Sequence, residues 1–185
     1  MLAVIKENKE VEFVIREVPK PVPKTNDVLI KVKAVGICGS DMPIFAGISK
    51  WPLPLIPGHE FAGVIEEVGS GVKDFEAGDR VTAGLVINCG ECIYCRQGLE
   101  SLCENIVETG IHVDGAFAEY VTVPAKTLHR MPETMTFDQG ASIDPIASAY
   151  RPVKKANIGS EDSVVVFGPG PIGIYTVQCA KAEGA

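Results

Sequence analysis

The chain has 185 residues, 46% of them hydrophobic and 22% charged, an ordinary balance for a folded globular protein and enough for one large domain or one domain and part of another. Seventeen Lys and Arg against 24 Asp and Glu give a formal charge of −7, which argues against a nucleic-acid-binding surface, since that needs clustered cations. No apolar run approaches the roughly 20 residues of a membrane span, and the opening MLAVIKENKEVEF turns charged at Lys6 before a signal-peptide apolar region can form; neither a membrane nor a nucleic acid is an expected partner, and the expected compartment is the cytoplasm, where thiols stay reduced.

The first 130 or so residues read as β. VEFVIRE, DVLIKVKAV, FAGVIEEVG, GDRVTAG and AFAEYVTVP are short, β-rich and partly alternating, and PKPVPKTND, GSGVKDFEAGD and HVDGA supply turns between them. Short strands punctuated by Gly and Pro suggest a barrel or a sandwich. ICGSD, with Cys38 and Ser40, follows the second of these strands, and PGHEFAG, with His59 and Glu60, opens the third. Taken singly, Cys38 reads as a core thiol, His59 as a structural histidine and Ser40 as a turn residue. Asp41 reads as a buttress, Trp51 as either a pocket wall or packing, and His112 and His129 as structural.

Four of the six cysteines fall in CGECIYCRQGLESLC, at Cys89, Cys92, Cys95 and Cys103. Disulfides would be unusual in a reducing compartment and would have to close very short loops. Ferredoxin spacing continues C-x3-C-P after C-x2-C-x2-C, whereas here Cys103 comes later and Glu104 follows it. A tetrahedral zinc ion takes four thiolates from a looping backbone, and Gly90 and Gly98 let the backbone turn. The cluster therefore reads as a closed structural zinc site, with no open position for chemistry.

Composition shifts after Pro132. FDQGASIDPIASAYRPVKKANIG has helical character and ends at Gly159, a plausible cap, with Asp144 near its start. SVVVF is a continuous apolar run, as in a parallel strand buried on both faces. GPGPIG follows and opens a helix in which Cys179 has core spacing. Gly168 suits the tight turn, Gly170 the approach to a pyrophosphate and Gly173 close packing of helix on strand, with Pro171 and Ile172 between the last two. This is a dinucleotide fingerprint. The acidic residue expected about 20 positions on would fall beyond Ala185, so the expectation is the first strand and helix of a dinucleotide-binding domain, truncated.

As a set, ICGSD, GHE with Gly63, Gly69 and Val72, the four-cysteine loop and GPGPIG resemble, in order and spacing, the zinc-containing medium-chain dehydrogenase/reductase family. The resemblance covers the whole chain and extends to its alcohol and polyol dehydrogenases of the sorbitol-dehydrogenase type. It implies a mainly β fold: a GroES-like barrel over residues 1–145, then a linker helix and the start of a Rossmann domain over 146–185. It implies two Zn²⁺ per chain, a structural one on Cys89, Cys92, Cys95 and Cys103 and a catalytic one on Cys38, His59 and Asp144, with Glu60 as a neighbour able to bind. Cys38 thiolate and Asp144 carboxylate would cancel the ion's charge, which still acidifies an oxygen in its open position. The implied reaction moves hydride between a secondary alcohol or polyol and NAD or NADP, in a homo-oligomer, dimer or tetramer.

Ser40 stands where the family hydrogen-bonds the substrate oxygen. Pro43 stands where many relatives carry a relay histidine, so the proton must leave by water, the cofactor ribose or a group outside the chain. Two rival expectations are a zinc-stabilised barrel used for binding or scaffolding and a zinc-free quinone reductase; Cys38, His59 and the four-cysteine loop oppose the second. The 185 residues alone are expected not to turn over.

Overall fold

In the computed structural model, which describes residues 1–48 and 50–185, the first of two compact units, Met1–Ala141, is a set of antiparallel strands with short helices at its margins. Strands β1 (Leu2–Ile5) and β2 (Val14–Glu17) form a hairpin, followed by β3 (Asp27–Gly36) and the short helix α1 (Asp41–Phe45). Next come β4 (Glu60–Val68), β5 (Arg80–Ala83), β6 (Val86–Ile87), the one-turn helix α2 (Ile93–Arg96), β7 (Val107–Glu108), β8 (Tyr120–Pro124), β9 (Leu128–Arg130) and α3 (Phe137–Ala141). The main sheet has the order β8-β3-β4-β5-β9, and β6 pairs with β7 in a separate two-stranded sheet.

Strand β4 runs through the centre of this sheet and is covered on both faces. Phe61 and Ile65 join Val28, Ile30, Val81, Val121 and Val123 in the main core. Ala62 points the other way, onto Met131 and Ala141, which explains why FAG and its neighbours are continuously buried rather than alternating. Phe61 is 1% exposed, so Phe61→Ala is a loss of about 3–5 kcal/mol.

The β3–β4 ladder carries two register shifts, between Leu29 and Ile30 and between Val32 and Ala34, and ends with Gly36 opposite Glu60. That register fixes the site. Cys38 lies two residues beyond the end of β3, and His59 one residue before the start of β4, so the two leave the sheet side by side.

The second unit, Ser142–Ala185, packs helix α4 (Ile143–Ala156) on helix α5 (Pro171–Ala182) through Val153, Cys179 and Ala180. Helical structure over 137–159 is interrupted at Ser142, between α3 and α4. In a continuous helix Pro145 would have no N–H for the Ala141 carbonyl and its ring would crowd that oxygen; bonding resumes with Ile146 N–H to Ser142 at 3.0 Å. The helix ends before Gly159, on Asn157 at φ 53°, because Asn tolerates the left-handed C-terminal position. SVVVF, expected as a strand, pairs with no strand among the described residues. Val165 and Phe167 are 77% and 95% exposed.

Candidate metal centre

Two groups of ligand-type side chains converge in the first unit. In each, the donor atoms lie within 4.8 Å of one another: Cys89, Cys92, Cys95 and Cys103 in one, Cys38, His59 and Glu60 in the other.

The four thiols sit on a loop whose neck is the β6–β7 pair. Cys92 caps α2, and Gly98 N–H returns to the Cys95 carbonyl at 3.0 Å. Lys126 ties the base of the loop down, donating to Asn88 Oδ1 at 2.8 Å. All four cysteines are free. Cys92 and Cys95 sulfurs are 3.5 Å apart, and Cys89 and Cys95 sulfurs 3.9 Å. A disulfide needs about 2.05 Å, whereas the edge of a zinc–thiolate tetrahedron with 2.3 Å bonds is about 3.8 Å. The spacing fits the metal. Backbone N–H groups point at the sulfurs, Cys89 to Cys103 at 3.3 Å and Cys92 to Cys89 at 3.4 Å. The N–H groups of Glu91 and Cys92 pull the Cys89 thiol down to about 6, while burial pushes Cys95 up to about 12. Four thiolates together therefore need a cation among them.

The second group is built from the ends of β3 and β4. Glu60 is 9% exposed and His59 3%. The Glu60 carboxylate occupies the space that Gly36 leaves free, where a Cβ would lie 2.6 Å from Oε2. Gly58, at φ +92°, turns the chain into His59. Asp41 is completely buried. Its Oδ2 accepts the Cys38 N–H at 2.8 Å, fixing the turn that presents the thiol. Its Oδ1 lies 3.8 Å from His59 Nδ1, and neither atom has a hydrogen-bond partner among the described residues. Burial pushes the Asp41 carboxyl up, against the Cys38 N–H, His59 and the Gly58 N–H, which hold it down. A proton on Nδ1 facing Asp41 leaves Nε2 as the lone pair on the side of Ser40, whose Oγ is 3.4 Å away. A carboxylate behind a histidine in this way orients a metal ligand and raises its basicity. One soft thiolate, one imidazole and one carboxylate around a buried polar spot fit zinc.

Asp144 stands in the first turn of α4, in the second unit. The structure thus brings Cys38, Ser40, His59 and Glu60 together, and separately the four loop cysteines. In the second unit, Gly168 has φ +110° and Gly170 caps α5, with Pro171 in its first turn. A Cβ on Gly173 would lie 1.8 Å from the Gly168 carbonyl oxygen, so the loop closes onto the helix only because Gly173 has none. Phe167, Gly168, Gly170, Pro171, Ile172 and Gly173 line a shallow groove of ≈ 360 Å³. Free N–H groups at the start of a helix of this length suit an anion.

Sequence reasoning missed two features. Gly36 carried no signal, because its role depends on the residue paired across the ladder. Trp51 and His112, read separately, are in edge-to-face contact with ring centroids 4.8 Å apart.

Residues 24–133 match the model of the alcohol dehydrogenase GroES-like domain. The chain is 40% identical over 173 residues to sorbitol dehydrogenase of Halalkalibacterium halodurans, covering 93% of this chain and 50% of that protein. To L-threonine 3-dehydrogenase of Francisella tularensis it is 39% identical over 178 residues, covering 94% and 50%. Among solved structures, a protein described as a zinc-binding dehydrogenase from Sinorhizobium meliloti, bound to NADP, superimposes with a TM-score of 0.94 at 40% identity, covering 100% of this chain and 54% of that one. Galactitol-1-phosphate dehydrogenase from Escherichia coli gives 0.93 at 34%, with the same coverage. The chain spans about half the length of these relatives.

Proposed function

The chain belongs to the alcohol dehydrogenase GroES-like domain family, and on that premise we propose that it carries the metal-binding half of a dehydrogenase that moves hydride between a secondary alcohol or polyol and NAD or NADP. The observation that carries this reading is the convergence of Cys38, His59 and Glu60 at the paired ends of β3 and β4, apart from the four thiols.

Two zinc ions per chain are proposed. Cys89, Cys92, Cys95 and Cys103 hold the structural ion. Cys38, His59 and Glu60 hold the catalytic one. When bound there, zinc acts as a Lewis acid toward the alcohol oxygen, and the nicotinamide is the hydride acceptor. Asp41 holds the Cys38 turn and the His59 tautomer fixed. Ser40 Oγ, 3.4 Å from His59 Nε2 and exposed, takes the substrate proton and passes it to water, because Pro43 has none to relay. Gly168, Gly170, Pro171, Ile172 and Gly173 cradle the cofactor pyrophosphate. The proposed division is a catalytic domain over 1–145 and a cofactor domain from 146, in a cytoplasmic homo-oligomer that binds neither nucleic acid nor membrane; no helix among the described residues is long and apolar enough to cross one.

The 185 residues by themselves are proposed to bind metal without turning over. Among the described residues the run 163–167 pairs with no strand, and one extended run followed by one helix is less than the βαβαβ unit that holds a mononucleotide.

Metal analysis after purification without chelator tests the reading. Two zinc ions are expected, falling to one in Cys38→Ser with the fold retained. A single zinc that Cys38→Ser leaves in place after zinc supplementation would instead favour a scaffold built on the four-thiol loop.

A further inference from the structure

Among the described residues Lys6 is the largest side chain to be fully buried, at 1% exposure. Lysines are almost never buried to this degree unless paired, and Lys6 forms no ion pair among the described residues. Its Nζ donates instead to two backbone carbonyls, those of Val11 and Phe45, each at 2.6 Å. An apolar side chain of the same length would fill this space without taking an ammonium out of water, so packing alone does not account for it.

The contacts of Lys6 reach both chain segments that carry the metal-centre donors. Phe45 ends α1. The first residue of that helix, Asp41, accepts the Cys38 N–H at 2.8 Å and stands 3.8 Å from His59 Nδ1. The backbone of Lys6 exchanges both hydrogen bonds with Leu55, at 2.9 and 3.0 Å, and Leu55 leads through Ile56, Pro57 and Gly58 to His59. Ile44 of α1 and Leu55 share one apolar cluster. The bond to Val11 closes the 7–13 loop over the end of α1. Phe13 meets Phe45 edge to face there, with ring centroids 5.2 Å apart, and a Cβ on Gly47 would lie 2.0 Å from the Lys9 carbonyl oxygen. Lys6 thus grips the segment after Cys38 with its side chain and the segment before His59 with its backbone.

We propose that Lys6 is a positioning residue of the metal centre, tying the end of α1 to the segment before His59 so that Cys38 and His59 stand at the separation a metal ion requires. The inference rests on the metal-centre reading above and adds to it a residue that touches neither donor. With five residues, α1 is too short to hold its shape alone, and Asp41 keeps its place only if the far end of the helix is anchored. Metal–ligand distances hold to within about 0.2 Å, so a small drift of α1 is felt at the thiol. The four-thiol loop stands on its own β6–β7 neck and is an internal reference for any effect on the fold as a whole.

The experiment loads the 185-residue chain with cobalt and titrates it with a chelator, reading separately the absorption that Cys38→Ser removes and the absorption that Cys92→Ser removes. Lys6→Met, of similar length but without the donors, is expected to weaken the Cys38-dependent metal about tenfold, the lower end of what losing an outer partner costs a metal site, and to leave the four-thiol affinity unchanged. Lys6→Gln, which puts N–H donors back on a shorter stem, should recover part of the loss; if Lys6→Met does not fold, Lys6→Gln is compared with wild type directly, with a smaller loss expected at the same site alone. Val123→Ala, a cavity in the main core where Val123 is 2% exposed, should lower the melting temperature and spare both affinities. Unchanged Cys38-dependent affinity in the folded Lys6 variants, equal loss at both metal sites, or as large a loss in Val123→Ala would each overturn the proposal, the last two by assigning Lys6 to stability alone. Cys38-dependent absorption that is indifferent to Lys6 removes this proposal and keeps the metal centre. No Cys38-dependent absorption in the wild type removes the metal-centre reading and this proposal with it.

Discussion

Replacing Gly36 with alanine places a Cβ 2.6 Å from Glu60 Oε2 and 3.3 Å from Glu60 Cβ. Ordinary contact begins at 3.4 Å, so the carboxylate oxygen must retreat by about 0.8 Å. The backbone tolerates the change, since Gly36 lies outside the left-handed region. A flexible carboxylate can move away, so the cost in stability is that of mild overpacking, about 1 kcal/mol, or about 2–4 °C in Tm for a chain of this size. Metal binding should suffer more. Metal–ligand distances hold to within about 0.2 Å, and a donor displaced by several times that no longer bonds. We expect Gly36→Ala to weaken the metal at Cys38 and His59 at least tenfold, measured by chelator competition with cobalt absorption as the signal, and Glu60→Gln to match it. Unchanged affinity in Gly36→Ala, in a protein where Cys38→Ser abolishes the signal, would refute the placing of Glu60 among the donors.

Cys92→Ser should abolish metal in the 89–103 loop and lower the melting temperature, because structural zinc contributes folding energy directly; calorimetry with and without chelator checks this. Zinc uptake by that loop should weaken as pH falls through about 6, where the Cys89 thiolate takes up its proton, and at pH 7.5 binding should release a proton from Cys95, whose thiol stands near 12; titration in weak buffer reads both. The 185-residue chain should bind an apolar dye such as ANS through residues 163–167, and Phe167→Asp should reduce the signal without moving the melting temperature, since Phe167 is 95% exposed. Calorimetric titration with NAD or NADP should show weak binding or none; micromolar affinity by the monomeric chain would contradict the proposal that the run 163–167 and α5 are too little to hold the cofactor.

The sequence made the parts visible where the signal was local. Four cysteines within one loop, an apolar run before GPGPIG, and the alternation in DVLIKVKAV and AFAEYVTVP each needed only neighbouring residues to be read. Strands β1 and β9 were not read because three or four residues give no period; they exist through pairing with distant partners, Leu2 with Glu17 and Leu128 with Ala83. The stop at Ser142 was readable from Pro145, although the helical composition around it was the stronger signal. Nothing local could show that Trp51 meets His112 or that Gly36 makes room for Glu60, since both follow from register and chain return. Asp41, read as a buttress, proved to be a buried carboxylate between the Cys38 turn and His59.

Because Gly36 sits opposite Glu60, the number of residues in β3 is itself a functional quantity. One residue inserted between the second bulge and Gly36 would advance the thiol by about 3.3 Å and turn alternate side chains to the opposite face. No substitution elsewhere could offset that, whereas many substitutions along the same strand would leave the geometry intact. Drift in this protein is therefore free to change the letters of β3 on its solvent side, at Lys31 and Lys33, but not their count. Laboratory libraries aimed at new substrates should vary identity in this strand and keep insertions and deletions out of it.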